Sequence, residues 1–287
     1  MAEPFGPYRL ERTINVGSIG QVFLARRIGD QQGDPDRVDR DGMHPVVVKR
    51  LHRELARRPA HVQLFLEEGR MARRFRHRHL VHAFDAGTVD RDHDRDHYIA
   101  MELVRGPNLA QLVERGPVAP PTALRIAIDL CSALDHLHGN GVVHCDLSPT
   151  NILIGPERAQ LTDFGVTNPV GQPQPQVRGT IPYMSPEQAR GLAVDGRSDL
   201  FGVGVILWEL LARRPLFHRS ATYLSLAAVV EDAVPELGAV TGQAVVPALA
   251  PVEALLARAL AKDPGERLLS CADLGDSLAE AARSLTS

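Results

Sequence analysis

At 287 residues, with 44% hydrophobic and 23% charged side chains, the chain is long enough for one large domain or two lobes and has ample apolar material for a core. A small stapled module and wholesale disorder are both excluded. Its 32 Lys and Arg against 35 Asp and Glu leave a formal charge of −3, so no global field draws it toward nucleic acid or an anionic membrane.

Three cysteines, Cys131, Cys145 and Cys271, lie far apart without CxxC spacing. They suggest neither a disulfide framework nor a zinc site and fit a reducing cytosol. The N-terminus, MAEPFGPYRL, lacks a basic stretch followed by an apolar run, and the longest apolar segment, 200–212, is too short for a bilayer and carries Glu209. A cytoplasmic protein with no membrane segment in this chain is the expectation.

The first hundred residues alternate short β-type runs with turns, at 14–16, 21–25, 46–49 and 98–103, which predicts an antiparallel sheet. One helix is predicted over 59–75, where Val62, Phe65, Leu66 and Met71 fall near helical spacing. Two Asp-rich segments, 29–45 and 85–97, read as solvated loops. Asp90, Asp92 and Asp94 alternate as calcium ligands do, yet a calcium loop starting at Asp90 would place Arg95 where glycine belongs and Met101 where glutamate belongs. A hairpin loop is the better reading. After Arg105-Gly106-Pro107 the texture turns helical, with runs at 121–138, 198–213, 221–232, 251–261 and 271–284 around a strand- and loop-rich stretch at 142–187. Residues 171–176, GQPQPQ, are predicted to be extended and exposed.

The segment Asn15-Val16-Gly17-Ser18-Ile19-Gly20-Gln21-Val22 is by itself a hairpin turn, but low side-chain bulk also lets backbone amides approach phosphate oxygens. Lys49 ends the apolar run Val46-Val47-Val48 and can pair with such oxygens; an enclosed ammonium needs a charged partner, for which Glu67 and Glu68 are candidates. Further on come His144-Cys145-Asp146-Leu147-Ser148-Pro149-Thr150-Asn151, then Asp163-Phe164-Gly165, then Gly179-Thr180-Ile181-Pro182-Tyr183-Met184-Ser185-Pro186-Glu187. Cys145 reads as a tolerated small residue rather than a nucleophile. His136 and His138, two apart on a helix, face different ways, which disfavours metal ligation. The Arg-rich run 70–78, with His77, His79 and His82, reads as a solvated face rather than a polyanion site.

In this order the motifs resemble the eukaryotic-like protein kinase family, with the texture of its bacterial Ser/Thr branch, over residues 8–278. The resemblance implies an α+β, bilobal protein kinase-like fold: a small N-terminal antiparallel β-sheet lobe with one helix, residues 1–104, and a larger, mainly helical C-terminal lobe, residues 105–287. It implies that Lys49 holds ATP phosphates, braced by Glu68, which the spacing from Phe65 selects over Glu67. Asp146 would orient the substrate hydroxyl, and Asn151 and Asp163 would hold Mg2+, with Mn2+ as an alternative. Val16, Gly17 and Gly20 would meet the phosphates. Met101, Glu102, Val104, Val22 and Leu153 would surround the adenine. Asp199 would bond the catalytic-loop backbone, and Glu187 with Arg267 would form a stabilising ion pair.

Three positions depart from the family's pattern. Asn15 stands for the first glycine of the phosphate loop, a mild defect. Ser148 stands at the catalytic-loop lysine, which removes a charge that offsets the γ-phosphate. Cys145 stands at the arginine that in many relatives grips a phosphorylated activation loop, and the loop 165–179 offers only Thr167 as acceptor. The expected function is therefore an ATP-dependent Ser/Thr protein kinase, a signalling transferase whose activity is independent of activation-loop phosphorylation. The alternative is a nucleotide-binding pseudokinase serving as scaffold or allosteric partner, for which Asn15, Cys145 and Ser148 speak. A small-molecule phosphotransferase shares the His-x-Asp and Asn pattern, but segment 179–187, resembling a protein-substrate platform, weighs against it. Expected partners are ATP, a protein substrate and a regulatory protein, with no nucleic acid.

Overall fold

A computed structural model of the chain describes residues 3–28, 45–91, 94–173, 178–241 and 249–284. Two compact units emerge, one formed by Met1–Arg76 with Val81–Val104, the other by His77–Leu80 with Arg105–Ser287.

The first unit is built on a sheet of β1 (Glu3–Phe5), β2 (Tyr8–Val16), β3 (Gly20–Arg27), β4 (Pro45–Leu51), β5 (Ala83–Arg91) and β6 (Asp94–Glu102), in the spatial order β1-β2-β3-β4-β6-β5. Every pairing in it is antiparallel. Strand alternation splits its side chains between two faces. Phe5, Tyr8, Leu10, Phe23, Ala25, Val46, Val48, Tyr98 and Ala100 form one apolar cluster. Helices α1 (Arg53–Ala56) and α2 (Pro59–Arg74) follow β4. In α2 the buried positions are Phe65, Glu68, Gly69 and Ala72, the i, i+3, i+4, i+7 stripe of a helix laid on a surface. Gly69 is the point of closest approach: a Cβ there would sit 2.6 Å from the Ala86 Cβ and 3.0 Å from Ile99 Cγ1.

The segment 85–97, expected as a loop, is instead mostly strand. β5 and β6 pair from Ala83↔Met101 out to Arg91↔Asp94. Composition misled because cross-strand partners satisfy the polar groups. Asp85 accepts a hydrogen bond from the Tyr98 hydroxyl at 2.7 Å, Thr88 meets His97 at 2.9 Å, and Asp90 faces Arg95 at 3.1 Å. The predicted loop at 29–44 and residues 174–176 of the proline-rich stretch lie outside the described residues.

The second unit contains α3 (Leu109–Glu114), α4 (Pro120–Gly139), β7 (Val142–Val143), β8 (Ile152–Ile154), β9 (Ala159–Leu161), β10 (Asn168–Pro169), α5 (Pro186–Ala189), α6 (Gly196–Ala212), α7 (Thr222–Glu231), α8 (Leu237–Thr241), α9 (Ala250–Ala259) and α10 (Cys271–Ser284). Each of the five predicted helical runs is matched by one of α4, α6, α7, α9 and α10. α6 is buried without interruption from Ser198 to Trp208, so it is a central pillar rather than an amphipathic surface helix. The Asp195 side chain caps its N-terminus on the Arg197 amide, and Arg213 ends it in the left-handed conformation at φ +56°. No helix among the described residues is long and apolar enough to cross a membrane.

Candidate active site

In the first unit, the β4 register decides what Lys49 can touch. Val46 and Val48 point into the apolar cluster, so Lys49 points to the other face, where it is paired with Ile99 across the sheet. Ile99 is also the residue against which Gly69 of α2 packs. The close approach at Gly69 therefore brings Glu68 to Lys49, and Nζ meets Glu68 Oε1 at 2.6 Å. The two side chains are only 13% and 6% exposed. Glu67 is exposed and accepts a bond from Gln63 instead.

The candidate phosphate loop closes the β2–β3 hairpin. The Gly17 amide donates to the Gly20 carbonyl at 2.9 Å, and the Asn15 side chain accepts from the Val16 amide at 2.9 Å. Val16 is largely exposed. Val22, on β3, pairs with Lys49. Met101 lies on β6 between Val47 and Ala83. Glu102 ends that strand, accepting from the His82 amide at 2.9 Å and donating its own amide to the His82 carbonyl at 3.0 Å. Val104 closes the unit.

In the second unit a short hairpin sets the candidate metal ligands. β8 and β9 pair Ile152↔Leu161, Leu153↔Gln160 and Ile154↔Ala159. Asn151 precedes the first pair and Asp163 follows soon after it, so both emerge at the open end. The Thr162 amide, donating to the Asn151 carbonyl at 2.9 Å, fastens that end. Asp163 is held at φ +70°, a left-handed conformation that Asp tolerates better than most residues, and its Oδ1 is 3.4 Å from the Gly165 amide. Leu153, in the middle of β8, bridges to Asn108.

Asp146 is fixed from two sides. Its Oδ1 accepts from the Thr180 amide at 2.8 Å and the Thr180 hydroxyl at 2.9 Å. Asn151 Nδ2 donates to the Asp146 carbonyl at 3.0 Å and more weakly to Oδ2 at 3.2 Å. With its Nδ2 so committed, Asn151 presents Oδ1, a hard oxygen ligand. Ser148 is buried and its hydroxyl pairs with that of Thr150 at 2.8 Å.

Two buried carboxylates carry this loop. Asp199, on α6, accepts from the His144 amide at 2.8 Å, the Cys145 amide at 2.9 Å and His138 Nε2 at 2.8 Å. Burial works to push its pKa upward, but the bond and charge of His138, with the His144 contacts, outweigh that and hold its carboxyl below the usual range. Glu187 meets Arg267 in a two-point contact of 2.7 and 2.9 Å and also accepts from the Ser198 hydroxyl at 2.7 Å. Its burial likewise works upward and is overcome by Arg267 and Ser198.

Gln188 was not legible as a site residue: its Nε2 donates to the Cys145 carbonyl at 2.9 Å. No sequence signal marks it, because the contact spans distant parts of the chain. Cys145 itself is buried at φ +66°, among Val143, Val194 and Val166. Burial first, then the nearby Asp199, pushes its thiol far up, which is unsuited to a nucleophile or redox switch. Among the described residues, no group of three or more His, Cys, Asp or Glu side chains is arranged to hold a metal.

Over residues 8–275 the chain matches the protein kinase domain, and it belongs to the protein kinase family. Its α+β architecture, a strand-rich unit and a mainly helical one, is that family's fold. Among bacterial relatives, it is 34% identical over 275 residues to the serine/threonine-protein kinase PknB of Mycobacterium leprae, covering 93% of this chain and 42% of that protein. The PknB of Mycobacterium tuberculosis is 33% identical over 276 residues, with coverage of 93% and 41%. That of Mycolicibacterium smegmatis is 34% identical over 276 residues, with the same coverage. The chain thus spans about two-fifths of the length of these curated relatives.

Proposed function

We propose that the chain is an ATP-dependent protein kinase that transfers the γ-phosphoryl group to Ser or Thr hydroxyls of a protein substrate. The observation that carries this reading is the Asp146 network: one carboxylate oxygen is spent on Thr180, and the other is left, with a single weak bond, to receive a hydroxyl proton. Thr180, which holds it, belongs to the segment read as the protein-substrate platform, so the base and the platform are positioned together. The similarity to relatives named serine/threonine-protein kinases supports the same choice of acceptor.

In this reading residues 1–104 are the nucleotide-holding lobe and residues 105–287 the catalytic lobe. Lys49, kept extended by Glu68, binds phosphate oxygens, and the backbone of Val16, Gly17 and Gly20 approaches them. Within the first unit, Val22, Met101, Glu102 and Val104 are the residues assigned to the adenine. The donor chemistry fits a divalent cation: Asn151 offers an amide oxygen and Asp163 a carboxylate, the ligand types that Mg2+ and Mn2+ accept. Such an ion, when bound, supplies positive charge against the phosphate oxygens. Ser148, buried against Thr150, adds no positive charge there, so Lys49 is the chain's own cation assigned to the phosphates.

Cys145, a buried thiol, cannot grip a phosphate, which supports activity independent of loop phosphorylation. The three free thiols support a cytoplasmic setting. The test is transfer of label from γ-labelled ATP to a basic acceptor protein by the wild-type chain and by Asp146→Asn. Transfer lost in the variant while nucleotide binding persists is the expected result. Binding without any transfer by the wild type would replace the kinase with the scaffold reading.

A further inference from the structure

We propose that His52 is a positioning residue that latches the candidate phosphate loop and thereby sets nucleotide affinity; this rests on the kinase reading of that loop. His52 directly follows β4, the strand that carries Lys49, and occupies the N-cap position of α1 with its side chain turned to the loop instead of to the helix amides. It touches the loop twice. Its ring Nε2 lies 2.7 Å from the Gly17 carbonyl, and its backbone amide donates to the Ile19 carbonyl at 3.0 Å.

A carbonyl only accepts, so Nε2 must carry the hydrogen, and both the neutral Nε2–H tautomer and the imidazolium do so. Gly20 makes the reach short enough. A Cβ at that position would fall 2.3 Å from the Arg50 carbonyl oxygen, so only glycine lets the end of the hairpin lie this close to the end of β4. These bonds add to the Gly17–Gly20 closure and the Asn15–Val16 contact at a tip otherwise turned to solvent, with Val16 and Ile19 exposed by 59% and 44%. A loop fixed before the ligand arrives loses less entropy on binding. His52 thus joins the loop to the strand of Lys49 and to the start of the segment leading to the Glu68 helix.

Three variants of the full 287-residue chain test this: wild type, His52→Ala and His52→Gln, whose amide nitrogen can donate from a similar position. Each keeps the backbone bond to Ile19. Without nucleotide, hydrogen exchange in the peptide covering residues 15–21 is expected to speed up about fivefold in His52→Ala and to recover in His52→Gln. Affinity for a fluorescent ATP analogue is expected to fall about five- to tenfold, the weight of one hydrogen bond, with kcat within about twofold of wild type and rescue by Gln. Unchanged exchange in His52→Ala overturns the latch. Faster exchange with unchanged analogue affinity overturns its link to nucleotide. A wild-type chain that fails to bind the analogue sinks the kinase reading instead, and the exchange comparison still decides whether the latch exists.

Discussion

Replacing Arg267 with alanine should unfold this chain more readily than any surface change, and the size of the effect follows from its neighbours. Arg267 is fully buried in its side chain, and Glu187 is 6% exposed. Beyond its two bonds to Glu187, the guanidinium donates to the carbonyls of Ala261 at 2.8 Å, Arg197 at 2.8 Å and Lys262 at 3.2 Å. Truncation removes a donor from each of those three carbonyls and leaves a buried carboxylate with the Ser198 hydroxyl and its own backbone amide for compensation. Breaking a buried pair from one side typically costs about 3–5 kcal/mol. For a chain of this size, at roughly 2–4 °C per kcal/mol, that is a fall in Tm of about 6–20 °C. The pH dependence has a definite sign. Glu187 has its folded carboxyl held below the usual value, so its stabilisation is present above the unfolded value and is lost as pH falls through the folded one. In the variant, burial acts on Glu187 without Arg267 and pushes its carboxyl upward, so the penalty should shrink on acidification from pH 7 toward pH 5. Differential scanning calorimetry across that range measures both. A Tm within about 2 °C of wild type, or a penalty that grows on acidification, would refute the reasoning. Replacing both partners by methionine should cost less than Arg267→Ala alone.

Lys49→Met should reduce phosphotransfer by at least about a hundredfold in the radiolabel assay while leaving a folded chain, since it removes the cation assigned to the phosphates. Ser148→Ala should change phosphotransfer by less than about threefold and lower stability by roughly 1 kcal/mol in a urea titration, because the hydroxyl is turned to Thr150; a collapse of turnover would assign it a catalytic role. Asp199→Asn places an amide NH2 against donor groups and should cost about 3 kcal/mol, read out as a lower denaturation midpoint. All three cysteines are buried and should resist maleimide at pH 7.5, then react fully in denaturant, as mass spectrometry would record.

The local signals were strong wherever a residue's role depends on sequence neighbours. The apolar run 200–208 of α6 could be read directly from the chain, while the choice of Glu68 came from the family's spacing to Phe65 on the same helix. Glu187 and Arg267 lie far apart in sequence and were legible only through the resemblance. Composition failed at 85–97, where Asp85 is accommodated by a tyrosine hydroxyl on the neighbouring strand, a partner that no window along the chain contains. Gln188 and His52 escaped for a related reason. Each acts on a backbone carbonyl, and carbonyls are the same at every position, so the contact leaves no residue type to recognise.

The setting of Cys145 constrains how this lineage can change. Its side chain fills a space bounded by valines and has no route to water, while its backbone is turned to a left-handed angle. An arginine introduced there alone would have to find room among those valines, where a thiol is already enclosed, even with the Asp199 carboxylate close by. A long side chain at this position therefore calls for smaller neighbours as well as a change of residue 145 itself, so the two steps are coupled.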